Sequence, residues 1–372
     1  MVDHLDSKIF KILVVNPGST GVKVSIFENE SEKITGKISF DYDAARKDDN
    51  KVVNDIAIKI TKWAGDNNYD CKSLDAIASR AGLLCPVPSG VYKIDQDVID
   101  DLNKKLMGWH ASNLGPLVSH IIAKQNNLDA YLMDPVTVDE LEHIARITGL
   151  PDVRRRSVFH ALNQKAVARR ACMEKGLNYQ DVNLIVAHLG SGITVGAHKK
   201  GRVIDVNNGL VGEGPFSTER CNDIPNCDLI DMCFSGKYTR DQVNTLISSN
   251  GGLYAYFNTK DIARVRRMEE EGNKEAKNVL AALAYQVSKE ICKNSAVLMG
   301  DIDAVILTGG LAFDDVLITD IKERVSFLGP VWNYPGEEEM LALCEGGLSV
   351  LRKEREAYRY ADFSSRNTGD HL

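Results

Sequence analysis

One design occurs twice in this chain. Residues 12–27, ILVVNPGSTGVKVSIF, run from an apolar stretch through a small-residue turn into an alternating stretch, and residues 184–199, LIVAHLGSGITVGAHK, repeat the plan. An apolar run, a glycine turn and a period-two run predict paired strands. The same unit in both halves predicts two related domains. Helical spacing at Val53, Ile56, Ala57, Ile60 and Trp63, and at Leu114, Leu117, Val118, Ile121 and Ile122, predicts helices. Short apolar runs at 74–78, 130–133 and 304–307 read as buried strands, and a long helix is expected over about 274–299. The fold class is therefore α/β. From Lys353 the sequence turns charged and polar with no apolar face.

With 372 residues there is material for two or three domains. No apolar run approaches the roughly 18 residues of a membrane span, and the acidic start at Asp3 and Asp6 argues against a secretory signal. A cytoplasmic protein is expected, with no membrane partner. A net charge of −7 argues against a nucleic-acid partner. The eight cysteines form no CxxC pair. Cys221, Cys227 and Cys233 lie six apart with no nearby histidine, unlike the tight ligand pairs of zinc sites, so free thiols are expected.

Three glycine turns follow apolar strands, at 16–21, 188–192 and 308–310. Glycine lets backbone N–H groups approach an anion closely, so three such turns point to a nucleotide, whereas one alone would read as a hairpin. Neither GxxxxGK[ST] nor GxGxxG occurs, which removes the P-loop and weakens a dinucleotide fold.

The segments ILVVNPGSTGVK, VFHALNQKAVARR, HLGSGITVGAHKKGRVIDVNN, GEGPFSTER and ILTGGLAFDD together resemble the butyrate kinase branch of the acetate kinase family, in family order from about Lys11 to Arg352. The resemblance implies duplicated actin-like ATPase (ribonuclease H-like) domains with a central cleft. It places an N-terminal domain at 1–155, onto which a helix of about 338–358 packs back. A nucleotide-binding domain follows at 156–337, and a flexible tail at 359–372. The implied activity is ATP-dependent phosphorylation of a short-chain carboxylate, butyrate giving butyryl phosphate and ADP reversibly by direct in-line transfer. ATP/ADP and Mg²⁺ are the implied cofactors, and a homo-oligomer is implied. A branched-chain (isobutyrate) or propionate kinase is the alternative enzyme, and a nucleotide-binding actin-like sensor the alternative outside catalysis.

Such a reaction needs no general base, because a carboxylic acid is already ionised at neutral pH. It needs cations that align two anions and neutralise the phosphoryl group in flight. By resemblance Arg80 and Arg220 do this, His160 hydrogen-bonds the phosphoryl, and Asp134 and Glu337 stand near the metal. Asn16, Ser19, Lys23, His188, Gly190, Ser191 and Gly192 are implied around the phosphates, and Gly309 and Gly310 beside the adenosine. Gly82 stands where acetate kinases generally carry a valine, so it is expected to open room for a longer alkyl chain, with Trp109, His110 and Phe159 as further pocket residues. The chain departs from the family at Gly21, at Ser191 and at Cys221-Asn222.

Overall fold

The computed structural model describes residues 8–18, 21–41, 44–45, 49–210 and 212–364. They fall into two compact units, 1–139 with 338–372, and 140–337.

The first unit holds a sheet of β1 (Lys11–Gly18), β2 (Gly21–Glu28), β3 (Ser31–Ile38), β4 (Ala76–Arg80), β5 (Val91–Lys93) and β6 (Asp129–Met133), ordered β3-β2-β1-β4-β6-β5. β1, β2 and β3 form an antiparallel meander, while β4 adds parallel to β1 and β6 parallel to β4. Leu13, Val15, Val24, Ile26 and Ile77 point to one face, which the helices Asp49–Asp66, Gln96–Lys104 and Leu114–Asn126 cover. The helix Glu339–Leu351 lies on the other face. Its Gly346 and Gly347 let it approach Met133, Ile12 and Ala78, where a Cβ would collide with the Met133 side chain. Covering on both faces explains why β1 reads as an unbroken apolar run.

The second unit repeats this plan. β7 (Asn183–Leu189), β8 (Ile193–Lys199) and β9 (Arg202–Val206) form the meander, and β10 (Ala304–Gly309) and β11 (Val331–Pro335) add in parallel, giving β11-β10-β7-β8-β9. The order 9-8-7-10-11 matches 3-2-1-4-6 strand for strand. One face packs on the helices Lys274–Val297 and Asp315–Val325, the other on Ala161–Glu174.

Two expectations about boundaries need correction. Residues 140–155 belong with the second unit. Glu142 N–H donates to Ile204 O at 2.9 Å, and the buried Lys165 ammonium meets Glu140 at 2.6 Å. Arg155 adds a bond to Asp205 at 2.8 Å. These ties are polar, so hydrophobic periodicity could not reveal them. The tail was also expected to be loose from 359, yet Tyr360 is 1% exposed. Its hydroxyl donates to Asp101 Oδ2 at 2.6 Å and accepts from Cys85 N at 3.0 Å, while Tyr358 and Phe363 pack around Tyr92. Three aromatics anchor an otherwise charged segment; residues 365–372 lie outside the described part.

Tyr360→Ala is expected to destabilise the protein by about 3–5 kcal/mol, the cost of emptying a large buried aromatic site. Tyr360→Phe, which keeps the ring and strands the buried groups around it, should cost about 1–3 kcal/mol. Urea unfolding read at the tryptophans measures both, and two unchanged midpoints would mean the tail is not part of the core.

Candidate active site

The first unit builds a small polar cluster at the ends of β1 and β4. Their parallel register sets Val15 beside Ser79, so Asn16 and Arg80 come next on adjacent strands. Arg80 Nη1 donates to Glu339 Oε2 at 2.9 Å and to Asn16 Oδ1 at 3.4 Å, and Asn16 Nδ2 donates to the same Glu339 oxygen at 2.9 Å. Glu339 opens the helix Glu339–Leu351, after Glu338 turns the chain at φ +43°. Charge-assisted bonds of this kind fix a guanidinium in place while leaving its other nitrogens for a ligand. Lys23 stands opposite Asn16 on β2 with an exposed side chain. Ser19 lies outside the described residues.

The acid that meets Arg80 is thus Glu339. Glu337, two residues earlier, falls in the second unit: its backbone oxygen accepts from Asn163 Nδ2 at 2.9 Å, and its carboxylate lies 3.7 Å from His188 Nε2. Three consecutive glutamates hid the choice, because only the turn at Glu338 decides which side chain faces which way. Asp134, at φ +38° just past β6, accepts through Oδ1 from Ser89 Oγ at 2.6 Å and from Gly90 N at 2.9 Å. That oxygen fastens the entry to β5.

Gly82 does not open a pocket. A Cβ there would lie 2.7 Å from both Cα and Oδ1 of Asn113 and 2.9 Å from Leu102, so the vacant volume is already filled. Asn113 Oδ1 also accepts from Leu83 N at 2.9 Å, and His110, whose Nδ1 accepts from Ser112 N at 3.2 Å, caps the short turn carrying Asn113. The bare glycine is needed for this close approach. Trp109, half-buried, packs against the first core, and Phe159 is buried in the second unit. Gly82→Val is therefore expected to cost about 1–3 kcal/mol through overpacking, with no shift in the order of acids used. A shift of preference towards shorter acids in a stably folded variant would restore the pocket-wall role.

In the second unit the ends of β7 and β10 lie side by side, bringing two of the predicted glycine turns together. Gly309, at φ +91°, rests on the backbone of Leu189 so closely that no Cβ fits, and Gly310 has open space where a Cβ would stand. The turn Gly190-Ser191-Gly192 meets the loop that carries Arg220. Ser217 Oγ donates to Ser191 O and accepts from Arg220 N at 3.1 Å. The Arg220 guanidinium lies directly over Gly192, where any Cβ would collide with it.

Arg220 is half-buried and forms no salt bridge among the described residues. Its Nη1 donates to the Gly209 carbonyl, and its Nε is buried without a hydrogen-bond partner among the described residues. Burial pushes the guanidinium pKa down, against a weaker opposing pull from Glu219, which itself pairs with Lys260. Burying a cation without an anion is costly, so such an arrangement suits a site whose anion is a ligand. The Cys221-Asn222 departure keeps this loop intact: Asn222 adopts φ +47°, a region asparagine tolerates, and its Nδ2 donates to Pro215 O at 2.7 Å. Gly21, the departure in the first turn, sits at φ +142° with Ile38 O 2.9 Å from where a Cβ would be.

His160 and His188 stack, ring centroids 3.8 Å apart and 14° from parallel. His160 Nδ1 meets Thr194 Oγ1 at 2.9 Å and His188 Nδ1 meets Asn163 Oδ1 at 2.7 Å. Cys221, Cys227 and Cys233 are free thiols, and no group of three or more metal-ligating side chains gathers among the described residues. No helix of the described residues is long and apolar enough to cross a membrane.

Residues 151–342 match the model of the acetokinase family. Butyrate kinase 2 of Clostridium acetobutylicum is 45% identical over 94% of this chain and 99% of its own length. Butyrate kinase 1 of the same organism is 45% identical over 95% and 100%. The chain belongs to the acetokinase family. Among solved structures, an acetate kinase of Porphyromonas gingivalis superposes with a TM-score of 0.75 at 19% identity, covering 92% of this chain and all of that one. A propionate kinase of Francisella tularensis gives 0.73 at 16% identity, covering 91% and 99%. The duplicated α/β architecture is thus that of this family's solved members. Sequence reasoning missed Glu339, Asn163, Gln164 and Thr194. The last three sit inside or beside the motifs HALNQK and HLGSGIT, where only side-chain direction sets them apart.

Proposed function

We infer that this protein transfers the terminal phosphoryl group of ATP to the carboxylate of butyrate, yielding butyryl phosphate and ADP. Support comes from 45% identity to two butyrate kinases over nearly the whole chain. The observation that carries the chemistry is Arg220, whose Nε is buried without a hydrogen-bond partner among the described residues and whose guanidinium is laid over the glycine turn 190–192. A transferring phosphoryl group supplies the missing negative charge, and a loose transition state is stabilised mainly by such preplaced cations. In this reading Arg80, held by Glu339 and Asn16, orients the carboxylate, and His160 donates to the phosphoryl oxygens. The turn at 190–192 and Gly309-Gly310 take the phosphates and adenosine.

Mg²⁺ is the metal we propose. It favours oxygen donors, keeps several waters and rides largely on substrate phosphates, so one or two carboxylates suffice. Glu339, beside Arg80, and Asp134 are the carboxylates we propose for it; each has one oxygen already bonded, Glu339 Oε2 to Arg80 and Asn16 and Asp134 Oδ1 to Ser89 and Gly90. Bound there, the ion would neutralise phosphate charge. We propose a cytoplasmic homo-oligomer acting on small molecules.

The test is acyl hydroxamate formation from ATP, Mg²⁺ and a panel of acetate, propionate, butyrate and isobutyrate. The highest kcat/KM is expected for butyrate or isobutyrate. Equal or better use of acetate contradicts the butyrate assignment, and no hydroxamate with any acid removes the kinase reading in favour of a nucleotide-binding protein.

A further inference from the structure

Behind His160 runs a chain of buried polar side chains whose hydrogen-bond directions can be worked out from one end. Gln164 Nε2 lies 2.9 Å from the backbone oxygen of Thr194 and 2.8 Å from its Oγ1. A carbonyl can only accept, so this end of Gln164 is the NH₂, and its Oε1 must face the other way. That Oε1 is 3.0 Å from His198 Nε2, which therefore carries a proton. His198 is fully buried, and burial together with nearby Lys165 and Arg169 holds it neutral. Its Nδ1 is then an acceptor, matched by the Tyr179 hydroxyl at 2.8 Å.

At the other end Thr194 Oγ1 already accepts from Gln164 Nε2. The backbone N–H of His160 donates to the same oxygen at 3.5 Å, which fills its second lone pair and leaves its single hydroxyl hydrogen to point at His160 Nδ1, 2.9 Å away. We propose that Tyr179, His198, Gln164 and Thr194 form a directional relay that fixes His160 as the Nε2–H tautomer, presenting a donor to the phosphoryl group. These are positioning residues; none needs to touch substrate. The neighbouring His188 is set the opposite way. Asn163 Nδ2 is bound to the Glu337 carbonyl, so Asn163 Oδ1 faces His188 and calls for a proton on its Nδ1. The two stacked rings thus receive separate instructions from separate amides. Gly196 makes room for the relay, since a Cβ there would sit 2.7 Å from Gln164 Oε1 and 3.3 Å from His198 Nε2.

The functional half of this inference rests on His160 serving phosphoryl transfer; the tautomer does not. The experiment therefore has two readouts. In ¹⁵N-histidine-labelled enzyme, with His160 assigned by comparison with His160→Gln, the signal of His160 is expected to show an unprotonated Nδ1 and a protonated Nε2. Thr194→Val, which keeps shape and removes the hydroxyl, should yield mixed tautomers and lower kcat about 10- to 100-fold, while KM for ATP and butyrate moves less than about threefold. Thr194→Ser should restore both. Gly196→Ala, which keeps every polar group but crowds Gln164, should move the tautomer the same way. A wild-type His160 protonated on Nδ1, or full kcat in Thr194→Val, overturns the relay. If the wild type makes no acyl phosphate, the activity reading fails while the tautomer still decides the relay.

Discussion

Arg220→Met should lower kcat for butyryl phosphate formation by about 10³-fold or more, the scale on which preplaced cations act in phosphoryl transfer, without lowering stability. The second half of this expectation separates a catalytic arginine from a structural one. Among the described residues Arg220 Nη1 holds a backbone carbonyl, and its Nε is buried without a hydrogen-bond partner. Exchanging a partly buried charge that has no salt bridge among the described residues for an apolar chain of similar length is expected to be neutral or mildly stabilising. The lost bond to Gly209 offsets part of that gain. Urea midpoints beside steady-state rates measure both effects. A variant that is both unstable and inactive would make Arg220 a scaffold residue, and a stable variant with near-normal kcat would remove it from the chemistry.

Arg80→Met is expected to behave differently, because Arg80 has a partner. Removing it leaves Glu339, buried, with Asn16 as its remaining side-chain donor among the described residues. The variant should lose about 10²-fold or more in kcat/KM for the acid and about 1–3 kcal/mol of stability from the stranded carboxylate. Adding Glu339→Gln neutralises that carboxylate, so the double variant should regain stability but not activity. Recovery of activity in the double variant would show that the pair acts only as a structural clasp. Opposite stability outcomes for the two arginines follow from one difference: Arg80 has a salt-bridge partner in Glu339, and Arg220 has none among the described residues.

The strands and turns were legible because glycine after an apolar run has few uses, and because the plan was written twice. Three turns were expected, and the two in the second unit meet at the ends of β7 and β10. What could not be read was side-chain direction. Glu337, Glu338 and Glu339 are equal in sequence, and a left-handed backbone at Glu338 alone sends Glu339 to Arg80. Gly82 invited a volume argument that failed, since Asn113, distant in sequence, fills the gap. Tyr360 was lost in a charged tail because Tyr358, Tyr360 and Phe363, spaced by two and three residues among charged ones, make no periodic pattern. Gln164 and His198 lie on different elements and meet only after folding.

The central claim is that Arg220, a cation with no salt bridge among the described residues, serves a phosphoryl group moving onto a carboxylate. Phosphorus NMR of ATP, Mg²⁺ and butyrate with wild-type enzyme and with Arg220→Met tests it most directly. A butyryl phosphate resonance that grows with the wild type, and about 10³-fold more slowly with the variant, is the expected result. Equal growth with both proteins, or no acyl phosphate from the wild type, would contradict it.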